Sequence, residues 1–178
     1  LNQTGGSANS GYLFEFLPAL DSFRILHHFS EVNNGLFTPS GVLVEANNGK
    51  LYGVANRGGN IGDGGVFSYD PVNDLYEEVI NNLYIPINSD YSGGFTKAQN
   101  GKLYLAIGVL MELDPSTNQV RNVINNFPVL LNRFIEASNG NLYAPNGNVV
   151  YEFNPVSESI RSVPMHFSSI YYSTLTKV

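Results

Sequence analysis

The sequence predicts an all-β chain built from four-stranded antiparallel blades, a partial β-propeller of about four blades. Three observations carry this. Three segments repeat a strand, an Asn-Gly turn and a second strand in one frame. A strand ending in a Pro-containing turn occurs four times. The spacing of those prolines (Pro18, Pro71, Pro115 and Pro155) is 53, 44 and 40 residues, which matches the roughly 40–50 residues of a propeller blade.

The first pattern is Leu43–Tyr52, Phe95–Tyr104 and Phe134–Tyr143, each with Asn-Gly before Leu-Tyr. Asn-Gly suits a two-residue type I′ hairpin, since both residues tolerate positive φ. We call its two strands a and b. The second pattern is Phe14–Pro18, Phe67–Pro71, Met111–Pro115 and Tyr151–Pro155. Apolar and polar residues alternate until proline ends the strand; this is strand c. Five and eight residues after each proline come the apolar pairs Phe23 and Leu26, Tyr76 and Val79, Val120 and Val123, and Ile160 and Val163. They mark strand d.

The expected blades are 1–30 (strands c and d only), 41–82, 93–126 and 131–164, with 168–178 as the first strand of a further blade. Residues 1–11 align with 54–64, and 175–178 with 95–98. This reading makes the chain a piece of a longer array of six to eight blades, whose blades pack with further blades of the same polypeptide. A lone four-stranded sheet cannot hide two apolar faces, so neighbouring blades must stack.

Composition narrows the function. Of 178 residues, 43% are hydrophobic and only 13% charged, which favours a packed core over disorder. The net charge is −6, with nine Lys and Arg in total and no basic cluster. Neither a nucleic-acid footprint nor a polybasic membrane patch is present. No apolar run approaches the roughly 20 residues of a membrane span, so direct membrane insertion is not expected. Cysteine is absent, which removes disulfides and thiolate chemistry.

Asn48–Tyr52 and Gly53, then Gly58-Gly59, then Gly62–Asp70 resemble the GloVer tandem repeat of large exported bacterial proteins. Its pattern is approximately N-L-Y-G-T-T, a G-G turn and G-x-G-T-V-F-x-L. The second unit matches best and the first from Gly5-Gly6 onward. The third and fourth keep Leu-Tyr and the Asp/Asn-Pro strand but lose the Gly-Gly loop. The resemblance implies an extracellular or cell-surface propeller and no catalytic residue. More distantly, the blades resemble those of streptogramin-lyase-type propellers.

Function in a propeller usually sits on the face formed by the b–c and d–a loops. The second b–c loop carries Asn56, Arg57, Asn60 and Asp63, and the next d–a loop carries Tyr84, Asn88, Asp90 and Tyr91. Asn and Asp bond hydroxyl groups, Tyr offers a flat surface to a sugar ring, and Arg can hold a carboxylate. Turn chemistry alone also explains such residues in a loop. Calcium wants six to eight oxygens, and the 59–65 stretch offers one carboxylate, so no metal is expected. Glu15, Glu112 and Glu152 recur once per blade, as a structural position does, and strand-b Lys102 is a candidate partner. Tyr52, Tyr104 and Tyr143 recur likewise and are expected in the packing. His27 and His28 face opposite sides of a strand and cannot share one ion; His166 follows the last strand. No cofactor motif and no catalytic residue emerges. The expectation is a non-enzymatic extracellular binding or adhesion module for a glycan or protein ligand. The alternative is a lyase- or hydrolase-type propeller enzyme with its site in the central channel.

Overall fold

The computed structural model describes residues 1–83, 93–127, 133–146 and 148–164. The chain forms two compact units, Leu1–Gly94 and Phe95–Val178.

The first unit opens with a two-stranded antiparallel sheet, β1 (Tyr12–Leu17) and β2 (Ser22–His28). A four-stranded meander follows: β3 (Phe37–Glu45), β4 (Leu51–Arg57), β5 (Gly65–Asp70) and β6 (Leu75–Ile80). Strand β3 starts at Phe37, ahead of the boundary read from the sequence, because the chain bulges between Ser40 and Val44 and then regains register with β4. The second unit holds two more meanders. They are β7 (Thr96–Lys97), β8 (Leu103–Ala106), β9 (Leu110–Asp114) and β10 (Gln119–Ile124), then β11 (Ile135–Glu136), β12 (Leu142–Asn146), β13 (Val149–Asn154) and β14 (Ser159–Pro164). Each four-stranded sheet runs a-b-c-d in chain order, as a propeller blade does.

Burial follows position in the blade. Strand β8 is wholly buried and β4 is buried from Tyr52 to Ala55, whereas the outer strands β6 and β10 are partly exposed and β14 is mostly exposed. Strands buried on both faces carry continuous apolar runs rather than alternation, as Leu103–Ala106 does. In the first unit the core gathers Leu13 and Phe29 with Leu36, Ala55, Phe67 and Tyr69. In the second it gathers Tyr104, Leu110 and Phe127 with Phe134, Leu142 and Phe153. Both cores lie between successive sheets, so stacking is what hides the apolar faces.

The Asn-Gly turns are not type I′. Only the glycine has positive φ (Gly49 +77°, Gly101 +81°, Gly140 +77°). Gly49 N–H donates to Ala46 O (3.1 Å) and Ala46 N–H to Lys50 O (3.0 Å). The pattern recurs at Gly101 with Ala98 and at Gly140 with Ala137. It is a three-residue connection: a type I turn followed by a left-handed glycine bulge.

The asparagine is kept for its side chain. Oδ1 of Asn48, Asn100 and Asn139 accepts the N–H two residues on (3.0–3.1 Å), while Nδ2 donates to the hydroxyl of Tyr52, Tyr104 and Tyr143 (3.0–3.1 Å). One amide thus ties the turn to strand b.

The c–d turns are tied differently. Oδ1 of Asp70, Asp114 and Asn154 accepts the N–H two residues on at 2.9 Å, across the intervening proline. The fifth residue of each turn is left-handed: Asp21, Asp74, Asn118 and Glu158. Asn-Gly and Asx-Pro turns therefore sit at one end of each four-stranded sheet, and the b–c and d–a connections at the other.

Candidate functional site

The b–c loop of the 37–80 sheet is Gly58–Gly64. Gly64 N–H donates to Gly58 O (2.9 Å) and Gly62 N–H to Gly59 O (3.3 Å). A parallel bridge joins Gly58 to Asp63. The loop is fastened to the end of strand d twice through Asn60. Its N–H donates to Asn81 O (2.6 Å) and its amide nitrogen to Asn81 Oδ1 (3.0 Å). Gly59 permits this closeness: a Cβ there would collide with Asn81 O, and its φ is +76°.

The same loop recurs 53 residues earlier. Gly11 N–H donates to Gly5 O (3.1 Å) and Asn9 N–H to Gly6 O (3.4 Å). His28 stands where Asn81 does, and its Nδ1 accepts Ser7 N–H (3.2 Å). A residue one to three positions beyond strand d then closes each loop. Phe29 N–H donates to Gly11 O (3.0 Å) and Leu83 N–H to Gly64 O (3.1 Å). Phe127 N–H does the same to Gly108 O (2.8 Å), although the loop there has shrunk to Ile107–Val109.

The four candidates in this loop divide by what they touch. Asn56 Oδ1 accepts the Ser40 hydroxyl (2.7 Å), and Asn60 holds Asn81, so both brace the loop. Arg57 ends β4 exposed to solvent. Asp63 is half-buried on the far side of the backbone bridge. A cation and a carboxylate at one loop suit a ligand offering both hydroxyl and carboxylate groups. The other candidates, Tyr84, Asn88, Asp90 and Tyr91, lie outside the described residues, as does His166. Among the described residues, no group of three or more His, Asp or Glu side chains converges as a metal site would require.

The recurrent glutamates do not pair with strand-b lysine as expected. Lys102 bonds Asp114 instead. Glu112 lies opposite Tyr104 on one side and Arg121 on the other. Its carboxylate accepts the Tyr104 hydroxyl (2.7 Å), Arg121 Nε (2.9 Å) and Arg121 Nη2 (3.1 Å). A polar chain therefore crosses the blade: Asn100, Tyr104, Glu112, Arg121. Glu15 with Arg24 (2.6 Å) and Glu152 with Arg161 repeat its outer link. Burial and the Glu112 bond raise the Tyr104 pKa. Glu158, then Glu112, hold the Arg121 guanidinium more firmly charged than usual. The arginines are missed by a reading of motifs, although each follows its glutamate by nine residues. These carboxylates are consumed by internal bonds.

No family model matches the chain, and no curated protein matches it. Solved structures do. The chain is similar to the extracellular domain of BT4673 from B. thetaiotaomicron, described as a one component system (TM-score 0.64, 16% identity, 92% of this chain and 22% of that one). A second structure of that extracellular domain, described as a hybrid two component system, gives 0.62, 16%, 90% and 20%. TolB from Acinetobacter baumannii gives 0.55, 12%, 92% and 40%. The chain thus spans between a fifth and two fifths of the length of these neighbours. The likeness is one of fold, and it agrees with the blades seen here: the fold is that of a partial β-propeller.

Proposed function

We propose that the chain belongs to an exported bacterial protein, and that its blades form a non-enzymatic binding or adhesion module for a glycan or protein ligand. The observation that carries this is the b–c loop of the 37–80 sheet. Its backbone is fixed by Asn60 and Asn81, and it leaves Arg57 exposed beside a loop carrying Asp63. A rigid loop that presents unsatisfied charge loses little entropy on binding. Placement at the cell surface draws support from the GloVer-like residues and from the extracellular domains that share the fold.

The test is a glycan array and a surface-protein pull-down with the labelled chain. Binding is expected to fall about tenfold in R57A/D63A, with unchanged thermal unfolding. Turnover of a substrate in the absence of any stable ligand would sink the proposal.

A further inference from the structure

Five asparagines of the chain precede a glycine: Asn34, Asn48, Asn100, Asn139 and Asn146. The pair carries a chemistry of its own. Glycine has no Cβ to shield its amide nitrogen, and that nitrogen can attack Cγ of the preceding side chain. Asn146-Gly147 lies partly outside the described residues. The other four pairs are alike in two respects. All four asparagines are exposed. In each pair the glycine N–H donates to the carbonyl three residues back, at 3.2 Å for Gly35 and 2.9–3.1 Å for Gly49, Gly101 and Gly140.

They differ in the side-chain amide. Asn48, Asn100 and Asn139 are held at both ends, Oδ1 by a backbone N–H and Nδ2 by a Tyr hydroxyl. Attack requires the amide to turn Cγ towards the glycine nitrogen, and the two bonds oppose that rotation. The Asn34 side chain has no hydrogen-bond partner. It lies in the connection between β2 and β3, where Asn33 and Asn34 are both left-handed, with φ of +59° and +61°. That region is sparsely populated for residues with a Cβ, so rotation out of it meets little resistance. Position 35 nevertheless keeps its glycine, because a Cβ there would stand 2.4 Å from Ser30 O. Packing thus retains the pair whatever its reactivity.

We propose that Asn34 is a site of spontaneous deamidation and isoaspartate formation, from which Asn48, Asn100 and Asn139 are protected by their tethered amides. The Gly35 nitrogen gives its proton to solvent and bonds to Asn34 Cγ. The Cγ–Nδ2 bond breaks, ammonia leaves and a cyclic succinimide remains. Water then opens either ring carbonyl, giving aspartate or β-linked isoaspartate. The balance is one amide and one water consumed, one carboxylate and one ammonium formed. The change falls against the Gly58–Gly64 loop. Gly58 packs on this connection so closely that a Cβ on it would stand 2.1 Å from Gly35 O. Leu36 N–H, next along, donates to Glu78 Oε1 (2.9 Å). Isoaspartate inserts a methylene into the main chain here and adds a negative charge at the end of β4 that carries Arg57. The reaction stands on the geometry of Asn34 alone, and only its effect on ligand affinity rests on the binding role proposed above.

The test is incubation of the folded protein at mildly alkaline pH, followed by digestion after glutamate and tandem mass spectrometry. Cleavage at Glu31 and Glu45 releases residues 32–45, in which Asn34-Gly35 is the single Asn-Gly pair. Conversion at Asn34 should run at least about tenfold faster than at Asn48, Asn100 or Asn139, the margin that two ordinary hydrogen bonds supply. In urea the four rates should converge, since the fold no longer distinguishes them. Y143F removes the acceptor of Asn139 Nδ2 and should speed conversion at Asn139 severalfold without changing Asn34, with circular dichroism confirming that the variant is folded. N34Q should abolish the acidic species that isoelectric focusing resolves first. Native conversion at Asn34 no faster than at the three hairpins overturns the proposal. So does an order of rates that persists unchanged in urea, or a folded Y143F that leaves Asn139 as slow as before.

Discussion

The His27 imidazole lies flat on the Tyr76 ring, with centroids 3.6 Å apart and planes 6° apart. Phe29 closes on both edge-on, at 5.0 Å from His27 and 5.7 Å from Tyr76. Burial between sheets, with a smaller push from His28, lowers the His27 pKa to about 4.

That shift makes stability depend on pH. The folded His27 stays neutral down to about pH 4, whereas in the unfolded chain it takes a proton near pH 6.5. Between those values the unfolded state binds more protons, so stability falls as pH drops through the window. Urea unfolding at pH 7, 5.5 and 4.5 should show this loss. H27F keeps the ring stack and should flatten that part of the profile.

A second, more acidic window comes from Asp114. The Lys102 ammonium, helped by the Ser116 hydroxyl and N–H, holds its carboxyl at about 2. A depressed carboxyl stabilises the fold above its unfolded value near 3.9 and loses that contribution as pH falls towards 2. K102M should shrink the wild-type decline between pH 4 and 2, read by circular dichroism.

The hairpin asparagine is expected to matter more than its exposed position suggests. N100A removes the acceptor for Lys102 N–H and the donor to the buried Tyr104 hydroxyl. The loss is about 1–3 kcal/mol, since two ordinary bonds disappear and a buried hydroxyl loses one partner. N100D keeps the acceptor but not the donor, and should fall between. Chemical denaturation curves rank the three proteins.

The Gly-Gly loop yields a paired test. G59A drives a Cβ into Asn81 O at positive φ and should cost about 2 kcal/mol or more. G62N meets open space, and Asn9 holds the equivalent place with φ +55°. It should change the unfolding free energy by no more than about 0.5 kcal/mol.

Much of the fold is legible in the sequence because period-two alternation and turn residues are local signals. Asn-Gly, Asx-Pro and the strands between them sit where the repeat puts them. The turn type differs from the expected one because Asn-Gly serves two hairpin geometries. The choice is made by a Tyr hydroxyl four residues on, a side-chain contact that turn propensity does not register. The partners of Glu112 differ for a similar reason: the cross-strand register sets Arg121 opposite it, while Lys102 bonds Asp114. In the candidate site, Asn60 reads as available for a ligand, but its partner Asn81 lies 21 residues away at the end of strand d.

The two ends of each blade are under different constraints. At the Asn-Gly and Asx-Pro end, side chains measure out the backbone atom by atom, and a single inserted residue would break the tie between Asn100 and Tyr104. At the other end, the same closing bond forms over a loop running from Gly58 to Gly64 and over one reduced to Ile107–Val109. Loop length there is free to drift without disturbing the sheet. A foreign peptide grafted at Gly108 should leave the blade folded, whereas the same graft at Gly101 should unravel it. The scaffold is in effect a rack with one fixed rail and one open side, where new sequence can be displayed.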